Sequence, residues 1–385
     1  MSNLKVVSIP ATRNDHRVSS EWYNRPADQR FTDLYSLRDH CKAHAQSSEA
    51  RIIDTSAVRV EASRTDSDKL TLILPGERTG QELAPTEATH WSFGQVCSLV
   101  KAPPAYLRKL PAALAAINLQ HGLINHRAEK VKSYHSVNGR SELRAVTGTE
   151  YGRIFDHEVA DGIIRVAGNG IGETHWKVPG IWGKQLEQVT KENTTLYASD
   201  RDLFCFLVDE SHPIEIGKLP NGDADVVYRG FYVWNSEVGS KSFGLAAFLY
   251  RAVCQNRIIW GQRDFQMIRF AHTSGAPSRF INSVLPALED FSKSGTGSLL
   301  NDIMAARQAV VARDDDERSS FLRKRGFTES ETNRVIESVL KEEGKQPESV
   351  WDFVQGITAV ARDIPHQDDR VSFERRASSL MEKVA

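Results

Sequence analysis

The sequence predicts an α+β protein, in which an antiparallel or mixed β-sheet core packs with helices and a helical C-terminal region follows. Strand-like segments are followed by helix-like segments without the regular alternation of a parallel βαβ sheet. Asn138-Gly139 separates two strand-like segments, which is a strong hairpin signal. Beyond Ser292, β-branched runs become rare and charged residues frequent, as in a helical region.

A chain of 385 residues is longer than one hydrophobic core usually serves, so more than one structural unit is expected. Thr32 is a candidate N-cap for a helix over 32–45, and a polar turn separates candidate strands at 52–61 and 69–74. The Gly/Ser-rich segment KSGTGS reads as a linker. The predicted units are an N-terminal αββ unit with a loose N-terminus (1–85), an α+β core (86–291) and a helical C-terminal region (292–385).

The spacing of the apolar residues and the positions of glycine, proline and capping residues predict the remaining elements. Core strands are predicted at 131–137, 141–147, 195–198, 203–209, 226–235, 257–260 and 266–271. Core helices are predicted for the segment FGQVCSLV, with Ser92 as its N-cap, and at 106–125, 156–167 and 242–255. C-terminal helices are predicted at 299–312, 316–325, 329–343, 349–362 and 372–384.

Composition excludes some classes of protein. The 49 basic and 50 acidic residues nearly cancel, which excludes a globally basic nucleic-acid binder but not a local basic face. The four cysteines form no C-x-x-C pair, so neither a disulfide framework nor a structural zinc site is expected. The N-terminal residues lack the apolar core of a signal peptide, and no apolar run is long enough for a bilayer. We therefore expect a cytoplasmic protein with no membrane partner.

Two stretches combine basic and aromatic residues. Such a pattern suits nucleic acid, because cations contact phosphates while aromatic rings stack on unpaired bases. The first stretch, 241–280, interleaves Tyr250, Phe265, Phe270 and Phe280 with its basic residues. The candidate nucleic-acid-binding residues are Lys241, Arg251, Arg257, Trp260, Arg263, Arg269 and Arg279, and from the hairpin stretch Arg127, Lys130, Lys132, Arg140 and Arg144. The alternative is that the aromatic residues are core and the charges a solvated face.

Other motifs give weaker signals. The glycine-rich segment 168–183 lacks the G-x-G-x-x-G spacing of a dinucleotide site, so we expect a flexible surface loop. This loop holds His175, Trp176, Lys177 and Trp182, and long loops with exposed aromatic residues often bind a ligand. His40 and His44 are one helical turn apart but have no evident third ligand. No catalytic residue, metal ligand set or cofactor is predicted. Carboxylates at Asp200, Asp202, Asp209 and Glu237 leave open a magnesium-dependent nuclease.

The segment after the 226–235 strand carries the most specific motif. It reads Asn-Ser-Glu-Val-Gly with a later serine, and the residues are Asn235, Ser236, Glu237, Val238, Gly239 and Ser242. With Cys254-x-Asn256 it resembles the phage/plasmid-like family called domain of unknown function 932. FGQVCSLVKAPPAYLRKLP, ELRAVTGTEYGRIFDHEV and VWDFVQGITAVAR resemble further parts of that family, so that the resemblance extends over residues 85–365.

The corner at Asn235–Gly239 has two interpretations. It is either a structural strand-to-helix corner or a phosphate site at a helix N-terminus. The resemblance implies a mobile-element context by association. Together with the basic stretches it favours a non-enzymatic, self-associating protein that binds or anneals single-stranded DNA in recombination or replication. The alternatives are the magnesium-dependent nuclease and a protein-binding factor that acts on a host system.

Overall fold

A computed structural model gives the fold. It describes residues 17–63, 66, 69–76, 84–125, 129–136, 141–179, 189–218, 222, 224–251, 256–259, 267–295 and 297–382. The helices are α1 Ser20–Tyr23, α2 Leu34–Gln46, α3 His90–Leu99, α4 Pro104–Leu107, α5 Ala112–Asn125, α6 Asp156–Ala167, α7 Ala276–Arg279, α8 Leu285–Lys293, α9 Gly297–Gln308, α10 Asp315–Arg323, α11 Glu329–Glu343, α12 Val350–Ala361 and α13 Gln367–Met381.

The strands are β1 Arg30–Phe31, β2 Ser48–Asp54, β3 Arg59–Ala62, β4 Leu70–Ile73, β5 Thr86–Ala88, β6 Lys130–Ser136, β7 Glu142–Gly148, β8 Trp176–Lys177, β9 Leu196–Ala198, β10 Leu203–Asp209, β11 Ile214–Lys218, β12 Ala224–Asn235, β13 Phe243–Arg251, β14 Asn256–Ile259 and β15 Met267–Phe270. They form two sheets, one antiparallel and one mixed, and the predicted α+β class is confirmed.

The larger sheet has the order β1-β9-β10-β12-β13-β14. Three further strands pair with its inner strands: β8 with β10, β11 with β12 and β15 with β13. Its central strands are buried on both faces. One face packs against α2, α6 and α8 through side chains such as Phe231 and Leu245. The other face carries a cluster of aromatic side chains that includes Phe206, Trp234 and Tyr250. A sheet covered on both sides explains why its strands are nearly continuous apolar runs.

The smaller sheet has the order β2-β6-β7-β5-β4-β3. β6 and β7 form the antiparallel hairpin that the sequence predicts, although its Asn138-Gly139 turn lies outside the described residues. One face packs against α3 and α5 through residues such as Val96, Leu119 and Val131. The other face turns toward the larger sheet. The predicted unit boundary at residue 85 falls inside this sheet, between β4 and β5.

The C-terminal helices α9 to α13 surround Trp351 and Phe353 and pack on the apolar residues of β11 and β14. Thr328 caps α11, and Gly344 ends it with φ 68°. No helix in the described ranges combines the length and the apolar character that a bilayer crossing requires.

Three local predictions are corrected. The segment predicted as a helix over 242–255 is strand β13 over Phe243–Arg251, which is buried along its whole length, and residues 252–255 lie outside the described ranges. Asp33, and not Thr32, caps α2, because its carboxylate accepts from the Ser36 amide. Thr89, and not Ser92, caps α3, while the Ser92 hydroxyl donates to the Leu143 carbonyl.

Candidate functional site: the corner between the two sheets

The segment Asn235–Gly239 leaves the end of β12 and lies where the two sheets meet. Asn235, Ser236 and Glu237 are buried. The Ser236 hydroxyl donates to the Arg201 carbonyl and accepts from the Val238 and Ser240 amides, which closes a tight turn. β13 follows this turn, so the phosphate site expected at a helix N-terminus does not exist here.

Glu237 joins the two sheets. One carboxylate oxygen accepts from the Asp156 amide at the start of α6 at 2.9 Å. The other lies 3.3 Å from the Arg144 guanidinium and 3.4 Å from the Tyr134 hydroxyl, both on the smaller sheet. A buried carboxylate without such partners would be costly, so these contacts explain how the chain tolerates Glu237 in the interior.

A β-bulge directs the Arg144 side chain toward this corner. The register between β6 and β7 shifts after Tyr134, so that Ala145 faces Tyr134 while Leu143 faces His135. Arg144 is the extra residue, and its side chain crosses the Tyr134 ring toward Glu237. Bulges commonly redirect a side chain in this way.

Backbone carbonyls of the corner are also held by side chains from the smaller sheet and its connections. The Tyr151 hydroxyl donates to the Ser236 carbonyl, and the Arg153 Nε donates to the Glu237 carbonyl. Trp91 and Gln95 of α3 both donate to the Val238 carbonyl. These contacts fix the angle between the two sheets at the motif.

Asp156 lies beside Glu237 with little access to water. Burial, and then the charge of Glu237, raise the pKa of Asp156 well above its usual range. Its Oδ1 accepts from the Asn235 Nδ2 at 2.7 Å.

The surroundings of this pair are cationic. Lys130, Lys132 and Tyr134 alternate along β6 and therefore share the face that turns toward the corner. Lys130 is exposed, and the Lys132 ammonium donates to the Tyr151 carbonyl at 3.0 Å. Arg153 lies over the Tyr134 ring, 3.8 Å from its centroid. We give the name hairpin face to the set Lys130, Lys132, Tyr134, Arg144, Tyr151 and Arg153. Within this set Lys130 is exposed, Lys132, Tyr151 and Arg153 are half-buried, and Tyr134 and Arg144 are buried beneath them.

The first basic stretch is placed differently. Arg251 is buried and pairs with Asp225 at 2.9 Å, and Arg257 is buried against Glu374 at 3.0 Å. The expectation that these two residues contact phosphate is corrected, because their charges are neutralised in the interior. The interleaved rings of Tyr250, Phe270 and Phe280 are core as well.

The other members of that stretch lie nearer the surface. Lys241 pairs with Glu21 at 2.8 Å. Arg269 bonds the Ser242 hydroxyl and Asp368, each at 2.9 Å. Arg279 is exposed, with its guanidinium over the Phe270 ring. Trp260, Arg263, Arg127 and Arg140 lie outside the described residues.

The carboxylates of the nuclease hypothesis are not gathered into one site. Asp202 and Asp209 stand at opposite ends of β10, which puts them roughly 20 Å apart. Asp202 pairs with Arg25, Asp209 with Arg229 and Glu237 with Arg144. A magnesium site gathers several oxygen ligands around one ion, and these carboxylates form no such cluster among the described residues.

Trp176 was expected to be an exposed ligand-binding aromatic of the glycine-rich loop. It is instead buried between Phe231 and Phe291 in strand β8, so that expectation is corrected. Lys177 is half-buried beside it, and His175 is exposed. Trp182 lies outside the described residues.

The sequence analysis did not single out Tyr151, Arg153 and Asp156 as site residues. All three lie in the segment ELRAVTGTEYGRIFDHEV, which already carried part of the family resemblance. A tyrosine, an arginine and an aspartate within six residues, just before a helix, were the available signal.

The fold and the corner define an α+β protein in which two sheets are joined by a buried polar motif. Residues 187–294 match the model of the family described as Domain of unknown function (DUF932), so this part of the chain is similar to that family. The matched range includes the Asn235–Gly239 motif and is narrower than the resemblance read from the sequence. Neither a curated protein nor a solved structure matches the chain.

Proposed function

We propose that this protein binds single-stranded nucleic acid on the hairpin face, and that it anneals complementary DNA strands in the recombination or replication of a phage- or plasmid-like element. The observation that carries the proposal is the convergence of Lys130, Lys132, Arg144 and Arg153 on one face with the Tyr134 and Tyr151 rings. The mobile-element context is an association through the family resemblance.

Charge supports this assignment. Four basic side chains on the hairpin face stand against the carboxylates of Glu237 and, across from Lys130, Asp54. Burial and the charge of Glu237 raise the pKa of the Asp156 carboxyl, which disfavours a second negative charge beside Glu237. The face is therefore net positive although the whole chain is nearly neutral. A local positive face of this kind attracts a polyphosphate backbone.

The two lysines differ from the two arginines in their role. Arg144 and Arg153 are engaged with Glu237 and the tyrosine rings, so they hold the shape of the face. Lys130 is exposed, and the long Lys132 side chain can leave the Tyr151 carbonyl at the cost of one hydrogen bond. The lysines are therefore the residues that we expect to contact phosphate.

Self-association would serve annealing, and α5 offers a surface for it. Leu114, Ile117 and Ile124 lie on one side of this helix with 50%, 64% and 63% of their surfaces exposed. α5 contains no Asp, Glu, Lys or Arg, so its outer face neither repels a second copy nor matches a charged partner. We assign this face to a second copy of the chain.

The binding proposal is tested by fluorescence anisotropy with a labelled single strand and a labelled duplex of the same sequence. The Lys130→Ala/Lys132→Ala variant should bind the single strand at least tenfold more weakly than the wild type. A control variant, Lys324→Ala/Lys341→Ala, removes the same charge from exposed positions in the C-terminal helical region. Equal losses in both variants would contradict a specific role for the hairpin face.

Annealing and self-association need separate measurements. Two complementary strands labelled as a fluorescence donor and acceptor should pair faster with the wild type than with the lysine variant. Ile117→Lys/Ile124→Lys should lower the molar mass measured by light scattering and slow annealing while single-strand binding is retained. An unchanged molar mass would exclude α5 as the contact between copies.

A further inference from the structure

We propose a divalent transition-metal site formed by His175, Asp209 and His212, in a part of the molecule separate from the hairpin face. The three side chains each present a ligand atom, and these atoms lie within 4.8 Å of one another. Two imidazoles and a carboxylate suit Zn²⁺ and its neighbours better than Mg²⁺ or Ca²⁺, which prefer oxygen ligands.

The sheet brings the three residues together. β8 pairs with β10 in a register that places Trp176 opposite Asp209, so His175 lies next to the end of β10. His212 follows in the turn after β10, and its ring centroid is 5.3 Å from that of His175. His175 lies 34 residues before Asp209 and His212 lies 3 residues after it. Because the first separation is long, no motif in the sequence indicated this site.

The geometry is close to that of a bound metal. The His212 Nδ1 lies 3.0 Å from both Asp209 oxygens. Metal–nitrogen and metal–oxygen bonds of about 2.0–2.2 Å place neighbouring ligand atoms roughly 3 Å apart. One ion can therefore bridge His212 and Asp209 with little movement of either residue.

The surroundings hold the carboxylate and leave the two imidazoles exposed to solvent. Asp209 is buried, and the Arg229 Nη2 bonds its Oδ2 at 3.1 Å. Arg229 is itself fixed, because it lies over the Trp176 ring and donates to the Ser294 carbonyl. Such outer contacts orient a ligating carboxylate. His175 and His212 are exposed, so an ion reaches the site from solvent and the remaining positions stay open to water.

Zinc binding to the full chain, produced with a tag that contains no histidine and then freed of metal by a chelator, tests the site. Titration calorimetry with Zn²⁺ should give one ion per chain, and Co²⁺ should give visible absorption bands of a nitrogen–oxygen site. His175→Ala and His212→Ala should each weaken Zn²⁺ binding at least tenfold. Both residues are exposed, so the variants should keep the wild-type unfolding midpoint in the absence of metal.

A matched control separates the site from adventitious surface binding. His121→Ala removes an exposed histidine from α5, on the smaller sheet, and should leave Zn²⁺ affinity unchanged. The proposal is overturned if no 1:1 binding is found, or if the His175 and His212 variants bind Zn²⁺ as tightly as the His121 variant. The readout does not involve nucleic acid, so this result is independent of the proposed function.

Discussion

Glu237 and Arg144 form an ion pair of 3.3 Å between the larger and the smaller sheet, and both side chains are almost fully buried. The glutamate comes from the Asn-Ser-Glu-Val-Gly motif, and the arginine comes from the bulge of the basic hairpin. The two features that stood out in the sequence are thus one structural unit. The motif fixes the hairpin against the larger sheet, and the hairpin face presents the remaining basic residues.

Glu237→Gln tests this unit. The substitution keeps the shape but leaves the buried Arg144 without its counter-charge, which typically costs about 3–5 kcal/mol. We expect a loss of unfolding free energy in this range, measured by urea denaturation at pH 7. An exposed control, Glu158→Gln at the start of α6, should cost less than about 1 kcal/mol. Equal effects of the two substitutions would mean that the ion pair does not hold the sheets together.

Asp156→Asn should change how stability depends on pH. Because the pKa of Asp156 is raised by burial and by Glu237, its contribution is fully present below the ordinary carboxyl pKa and is lost as pH rises through the folded-state value. Asparagine keeps the acceptor for Asn235 but does not ionise. The variant should therefore gain stability relative to the wild type as pH rises from 5 to 9. A difference that stays constant over this range would refute the raised pKa.

The lowered pKa of His272 predicts that stability changes with pH in the opposite direction. Burial lowers its pKa to about 4, and its ring stacks on Tyr151. Its contribution is present above the unfolded pKa of about 6.5 and is lost as pH falls toward 4, at up to about 1.4 kcal/mol per pH unit. His272→Phe keeps the stacking and removes the titration. Unfolding measured from pH 7 to pH 4.5 should show a shallower loss in the variant, and an identical slope would contradict the assignment.

Gly239→Ala tests why the motif ends in glycine. Gly239 has φ 83°, and the nearest atom to an added Cβ would be 3.6 Å away, so the cost comes from the backbone and not from a clash. We expect a loss of about 1–2 kcal/mol. Gly148→Ala is the matched control, because its Cβ meets open space and its φ is not left-handed. If both variants unfold at the same denaturant concentration, the conformational argument fails.

Local signals predicted much of this fold. The β6–β7 hairpin follows from its turn and alternation, and α6 and α11 were predicted with the residue ranges that the structure shows. β13 was misread as a helix because FGLAAFLYR is apolar on both faces. A strand buried on both sides has no alternation, so its pattern cannot be distinguished from that of a buried helix.

The candidate site was harder to predict because the residues that pair with its charged side chains are distant in sequence. Arg251 and Arg257 suggested a basic surface, but their carboxylates come from residues 26 and 117 positions away. Only the tertiary fold shows that these charges are neutralised. The hairpin lysines stood out in the sequence as basic positions near a turn, whereas their convergence with Arg153 and the motif depends on how the two sheets meet.

The salt dependence of single-strand binding tests the central claim most directly. Each phosphate contact that is lost should lower the slope of log affinity against log salt concentration by about 0.7 for a single strand. We predict that Lys130→Ala/Lys132→Ala lowers this slope by about 1.4 relative to the wild type, while Lys324→Ala/Lys341→Ala leaves it unchanged. An unchanged slope in the hairpin variant, or no single-strand binding by the wild type at low salt, would contradict the assignment of the hairpin face to nucleic acid.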